Sequence, residues 1–321
     1  MKNSASEQAR GGEPAVSQDG EGEWLVWLLG QPHLSDYLSF VRDKVVDGDR
    51  LRPRLLADEW RVANDLYYDL EQQEAGIADG ADCLPLPRRL APLARKVLRD
   101  RYFVESFDTL PVEIRMVELA RLVVSQSNIG CGFADKLQRQ LPDPSDMEAL
   151  FHFCLPLERP QPPVRVRKSG KDRYVFTSPS TDFRLHPPTI LQPTQVEGLK
   201  SFGPVASILA FAVGFGSNFL SVVRSDERLL LQNGYHRAFA LLSAGVTHAP
   251  AVVQTVTRKD ELRLAASDDV VEDPAFYFRA ARPPLLRDFL DPRLGKRLLA
   301  RAMQTTIEIE FKTRSSSGSI V

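Results

Sequence analysis

Residues 228–256, RLLLQNGYHRAFALLSAGVTHAPAVVQTV, decide how this chain is read. Arg228–Gln232 is a short apolar run with strand character, Asn233-Gly234 is a turn signal, and Tyr235–Ala244 reads as a helix ended by Gly245. Ala251–Val256 is a second β-branched run of strand length. The 18 residues between Gln232 and Ala251 suffice for a crossover, which predicts two parallel strands in one sheet. The helix is apolar nearly all round, through Tyr235, Ala238, Phe239, Leu241 and Leu242, so it belongs inside a domain.

The chemistry lies at the junction. A glycine between strand and helix lets the backbone approach a ligand closely, and the first helical turn aims unpaired N–H groups and the positive dipole end at the same spot. His236 and Arg237 fall in that turn, and an arginine grips two phosphate oxygens at once. Asn233, Gly234, Tyr235, His236 and Arg237 are therefore the candidate anion site, most simply for a nucleotide phosphate. The competing reading of the same residues makes Arg237 a structural arginine and Tyr235 a core aromatic.

Gly234-Tyr235-His236-Arg237-Ala238-Phe239-Ala240 follows a G-x-x-R-x-x-A pattern and resembles the motif of the ParB/sulfiredoxin-like superfamily. The order around it is similar too: strand Phe219–Arg224, turn Ser225-Asp226-Glu227, strand Arg228–Gln232, motif helix, then a strand beginning at Pro250–Val253. The resemblance spans about residues 194–258. It implies a nucleotide-binding α/β domain in which Gly234 admits the phosphates and His236 and Arg237 touch them. Tyr235 stands where a sulfiredoxin has its reactive cysteine, so no sulfinic-acid reductase activity is carried over. Tyr235-His236 stands where ParB partition proteins have Glu-Arg, and Glu197 is the only carboxylate of the domain ahead of the motif hairpin.

The chain has 321 residues, 43% apolar and 26% charged, with a net charge of −1, values ordinary for a globular protein with room for two domains. Cys83, Cys131 and Cys154 are too few and scattered for a disulfide framework, which suits a reducing cytoplasmic setting. Residues 1–20 lack the apolar core of a signal peptide and read as a disordered leader. Ser201–Val223 carries no charge over 23 residues, but its glycines, proline and polar residues divide it into a helix of about three turns and a strand rather than a membrane span.

In order, Trp24–Leu29 is a short apolar run. Helical patterns then cover Leu34–Val41, Pro53 to about Gly76, Leu90–Tyr102, Pro111–Val124 and Met147–Phe153, the last behind a Ser145/Glu148 capping box. Residues 21–155 thus read as an all-helical domain. A proline-rich connector with a basic hairpin follows over 156–193, where 164–174 holds five basic residues against one acidic. A second capping box, Thr194/Glu197, opens a helix into the motif domain at 194–258. Helices and a final alternating strand, Thr306–Thr313, fill 259–313, with seven basic residues against two acidic over 279–301, and 314–321 is a flexible tail. The fold class is α+β.

Walker-type phosphate loops, G-x-S-x-G elbows and a full dinucleotide fingerprint are absent from the sequence. His152 and Cys154 sit two apart on a predicted helix and face different ways, so no metal site is assigned. His33, His186 and His248 lie beside prolines or in loops. The first functional expectation is binding of ATP or another nucleotide, with magnesium as its partner. If the site is catalytic, His236 and Arg237 would serve phosphoryl transfer or nucleotide hydrolysis. The alternative is a non-enzymatic module that keeps the fold and binds DNA or protein through the basic strips at 164–174 and 279–301.

Overall fold

Val222, Val223 and Leu229–Leu231 are apolar at successive positions, as strands covered on both faces require, and all are buried. They form the expected hairpin, Ser221–Ser225 against Arg228–Asn233, with Ser225 facing Arg228 across a tight turn. Asp226 adopts φ +52° in that turn, a left-handed conformation that aspartate tolerates. The structure, a computed structural model, describes residues 22–317 apart from 32, 159, 160, 181, 201, 202 and 259. The expected leader at 1–20 and the end of the tail lie outside these residues.

The hairpin is one side of a five-stranded sheet, ordered Arg228–Asn233, Ser221–Ser225, His248–Val256, Val112–Glu118, Cys83–Pro85. Ser221–Ser225 runs parallel to residues 252–256, and every other neighbouring pair is antiparallel. The strands flanking the motif helix are therefore not neighbours and run in opposite directions, which corrects the parallel pairing expected for them. The first strand of the hairpin has taken the place between them, where residues 222 and 223 are covered on both sides.

Val112–Glu118 is the largest departure from the sequence reading. Residues 111–124 were expected to be helical, yet 112–118 pairs with 248–254 along its whole length. Val112, Ile114 and Met116 alternate in strand period, and Val117 on the other face is also fully buried. Val117 adds an apolar residue to the face that otherwise carries Glu113 and Arg115, and with Ala120 and Val124 it gives an i, i+3, i+7 spacing that mimics a helix. The all-helical domain at 21–155 is corrected with it: Glu23–Leu28, Cys83–Pro85 and Asn128–Gly130 are strands as well. Glu23–Leu28 pairs with both Gly295–Ala300 and Asn128–Gly130 in a three-stranded sheet. A single apolar core runs from Leu25 and Trp27 through Tyr37, Val117, Leu220 and Leu241 to Leu298, so the segment at 21–155 shares its core with the motif.

Helices Leu34–Lys44 and Pro53–Glu74 form as their periodicity predicts, the second with its proline in the first turn. The pattern at 90–102 breaks into Ala91–Leu98 and Arg101–Ser106, the second capped by Asp100, which accepts from Phe103 N–H. Met147–Cys154 is capped by Asp146, which accepts from the N–H groups of Glu148 and Ala149, rather than by the expected Ser145.

Beyond 156, short hairpins replace the expected helix. Arg165–Lys168 and Arg173–Ser178 pair as predicted, and Thr305–Glu310 completes their sheet. The uncharged run that was expected to hold three helical turns holds Ile208–Ala210 and Val213–Phe215 instead, each paired with an earlier strand. Glycine, proline and serine interrupt it too often for a helix to propagate. No helix among the described residues is long and apolar enough to cross a membrane. The helical region expected over 279–301 is a short 3₁₀ turn, Leu286–Leu290, followed by the strand Gly295–Ala300.

Two further features fix the frame. Residues 122–124 run along the free side of Arg228–Asn233: Val123 N–H donates to Leu229 O at 2.9 Å, and Leu231 N–H to Val123 O at 2.8 Å. The opposite edge of the sheet is the three-residue strand Cys83–Pro85, which ends in proline. Separately, Arg282 lies fully buried between Asp288 and Glu74, with Nη2 at 2.7 Å from Asp288 Oδ1 and 3.1 Å from Glu74 Oε2. Tyr67 O–H and Leu285 N–H also donate to Asp288, at 3.3 and 2.8 Å. This network ties the C-terminal segment to the long helix.

Candidate functional site

The junction forms as the sequence predicts. Gly234 ends the strand at φ +88° and precedes the helix Tyr235–Ser243. A Cβ at Gly234 would lie 3.0 Å from Leu220 Cδ1 and 3.2 Å from Leu220 Cα, so the position needs glycine for its backbone angle and for room. Asn233 Oδ1 accepts from Gly234 N–H at 2.9 Å. Ala238 N–H makes the first intrahelical bond, to Gly234 O at 2.8 Å, which leaves the N–H groups of Tyr235, His236 and Arg237 outside the helical ladder.

The three side chains of the first turn go to three different neighbours. Tyr235 is buried; its hydroxyl donates to Leu231 O at 2.6 Å and accepts from Ser125 N–H at 3.1 Å and Gln126 N–H at 3.4 Å. Burial raises its pKa, although the Ser125 and Gln126 donors act the other way. Tyr235 is thus a core aromatic that ties residues 125 and 126 to the motif strand. His236 Nε2 accepts from Gly130 N–H at 3.1 Å, which places its proton on Nδ1, and Phe133 meets the ring edge-on at 5.1 Å. Burial pushes the imidazole pKa down to about 4, so the ring is neutral near pH 7. An imidazole in that state supplies no positive charge to a phosphate and can offer it only the Nδ1 N–H.

Arg237 is 8% exposed. Its Nη1 donates to Asn218 O at 3.0 Å and its Nη2 to Asn218 Oδ1 at 3.0 Å, while the guanidinium lies over the Phe153 ring, 5.6 Å from the centroid. Burial lowers its pKa from the ordinary value. Among the described residues it has no carboxylate partner, and its Nε is buried without an acceptor. Both oxygens facing the fork belong to one residue, Asn218, which is itself exposed and holds φ +56°. Arg237 is therefore a buried cation at the positive end of a helix, satisfied only by neutral oxygens.

Asn218, Ser125, Gln126, Gly130 and Phe153 complete this environment, and none was singled out from sequence. The Asn233-Gly234 signal is local, whereas these partners lie 19 to 110 residues away along the chain. A cavity of about 10 Å³, room for one water, lies beside Ser125, Gln126 and Gln31, where Gln31 Oε1 is buried without a partner. A cleft of about 210 Å³ is lined by Gly80, Cys83, Arg224 and Glu227. Neither is lined by Gly234, His236 or Arg237. Glu197 is exposed at a turn remote in sequence from the junction's contacts. Among the described residues no group of three or more His, Cys, Asp or Glu side chains could hold a metal.

The two basic strips differ in how much charge they leave free. Across 279–301, Arg282 and Arg287 meet Glu74 or Asp288, Arg293 meets Asp291, Lys296 meets Glu59, and Arg297 lies over Trp24. That strip is largely neutralised from within. In the hairpin, Arg173 pairs with Glu308 and Glu310, while Arg165, Arg167, Lys168 and Lys171 are exposed. No protein-family model, no curated protein and no solved structure matches this chain.

Proposed function

We propose that this protein binds the phosphate of a nucleotide at the first turn of the helix Tyr235–Ser243. The observation that carries the reading is Arg237: a buried guanidinium with no counter-anion, at the end of a helix whose dipole is also positive. The two oxygens of Asn218 occupy the fork at 3.0 Å each, much as two phosphate oxygens would. Asn218 is exposed and lies outside any regular element, so moving one residue bares the fork and the free N–H groups behind it. The ParB/sulfiredoxin-like resemblance, with its glycine and arginine at 234 and 237, points to the same ligand class.

The reading stops at binding. His236 is neutral with its Nε2 engaged, and no carboxylate touches the junction among the described contacts, so no group there is placed to move a proton in phosphoryl transfer. ATP, CTP and GTP binding is measured by calorimetry for the wild type, Arg237→Ala and Asn218→Gly. Asn218→Gly keeps the left-handed backbone, removes one competing oxygen and should tighten binding. Arg237→Ala should weaken it by roughly 10- to 100-fold, the worth of a charge-assisted pair. Equal affinity in all three proteins, or none in any, overturns the proposal. The second outcome favours the other reading, a motif kept for structure in a protein that binds DNA or protein, which the internal engagement of Tyr235 and His236 supports.

A further inference from the structure

The largest group of unpaired cations uninterrupted by a carboxylate lies in neither basic strip. Residues 88–99, RRLAPLARKVLR, hold Arg88, Arg89, Arg95, Lys96 and Arg99 and no carboxylate, in a chain whose net charge is −1. Arg88 and Arg89 sit in a 3₁₀ turn that leads directly into the helix Ala91–Leu98, and Arg99 follows its end. All five are exposed. Among the described residues none of the five side chains makes a hydrogen bond or an ion pair. Several other surface arginines meet acids: Arg42 meets Asp43 at 2.8 Å, Arg61 meets Asp58 at 2.9 Å, Arg101 meets Glu105 at 2.7 Å and Arg121 meets Glu118 at 3.2 Å.

The helix places these charges on one side. At 3.6 residues per turn, Arg95, Lys96 and Arg99 fall within about 100° of arc. Leu90, Ala94 and Val97 face the opposite way and are buried in the main core. The apolar face of this helix is thus spent on the fold, which leaves only Leu98, 38% exposed, to meet a bilayer and argues against an anionic membrane as partner. What remains is a rigid ridge about 17 Å long, with four guanidiniums and one ammonium. Guanidiniums suit phosphate through paired N–H donors, and a duplex presents one backbone charge about every 1.7 Å of its axis.

We infer that the ridge formed by Arg88, Arg89, Arg95, Lys96 and Arg99 docks the phosphate backbone of a nucleic acid. No base-reading element accompanies it, so the contact is one of charge and position rather than of sequence. The inference is independent of the nucleotide reading, because the ridge shares no residue with the junction at 233–237.

The test is fluorescence anisotropy of the full chain with a labelled 25-base-pair duplex and a labelled single strand of equal length, from about 50 to 200 mM salt. With about five phosphates neutralised, affinity should fall by a few hundred-fold over that range. Arg89→Gln, Arg95→Gln, Lys96→Gln and Arg99→Gln should each lower the salt slope by about one, and the four together by about four, while thermal melting stays unchanged. The comparison variant carries Arg165→Gln, Arg167→Gln, Lys168→Gln and Lys171→Gln in the hairpin. Loss that follows the hairpin and spares the ridge variants overturns the inference. So does the absence of binding at 50 mM salt, or tighter binding to phosphatidylserine vesicles than to either nucleic acid. ATP affinity measured on the same ridge variants should match the wild type, which separates this result from failure of the nucleotide site.

Discussion

Asp288→Asn tests whether the buried ion network holds the C-terminal segment to the long helix. The substitution keeps the shape of the side chain and removes its charge. Arg282 and Asp288 have side chains 1% and 2% exposed, so solvent cannot replace the lost partner. Breaking a buried pair by removing one charge costs about 3–5 kcal/mol. Glu74 still lies 3.1 Å from Arg282 Nη2 and softens the loss, which brings the expected cost to about 3 kcal/mol. At about 2–4 °C per kcal/mol this lowers the melting temperature by roughly 5–12 °C. Asp291→Asn is the control, because its partner Arg293 is 64% exposed and such pairs contribute about 0–1 kcal/mol. The double replacement Arg282→Met with Asp288→Leu removes both charges and should recover most of the loss. Urea unfolding and calorimetric melting read all four proteins. If Asp288→Asn is no more destabilising than Asp291→Asn, the network is not what holds 282–288 in place.

Two further predictions concern the junction. Gly234→Ala forces a side chain into a left-handed backbone and against Leu220, and should cost about 1–3 kcal/mol in urea unfolding; a loss under 0.5 kcal/mol would mean the turn can relax. The His236 imidazole is held at about 4 from a usual 6.5, so the unfolded chain binds the extra proton first. Its share of stability is complete above pH 6.5 and is lost as pH falls through about 4, up to about 3 kcal/mol. His236→Gln should flatten that slope between pH 6.5 and 4, and an unchanged slope refutes the assignment.

What could be read from the sequence follows how local each determinant is. The strand–glycine–helix junction was legible because Asn233-Gly234 and the helical spacing after it act within a few residues. The hairpin before it and the strand pair around 165–178 were legible for the same reason. The partners of Arg237 were not, since Asn218 is drawn in by a turn that the sequence marks only as irregular. Residues 112–118 deceived because Val117, Ala120 and Val124 extend the run at helical spacing, although Glu113 and Arg115 alternate with the buried Ile114 and Met116. The strand at 295–300 was hidden by its charge: Lys296 and Arg297 count toward a basic strip, whereas they reach Glu59 and Trp24. Charge counting along a sequence cannot tell such paired cations from the unpaired ones at 88–99.

The covered margins of the five-stranded sheet decide where two copies of this protein can stick together. Residues 122–124 satisfy the outer strand on one margin, and a short strand closed by Pro85 ends the other, so neither offers a template for an incoming chain. The small hairpin sheet keeps two outer strands, Arg165–Lys168 on one rim and Thr305–Glu310 on the other, and the first is exposed along its whole length. Three of its four residues are cationic, so a second copy arriving edge to edge meets its own sign of charge. Repulsion thus opposes pairing of that rim with its own copy, and it weakens as salt rises.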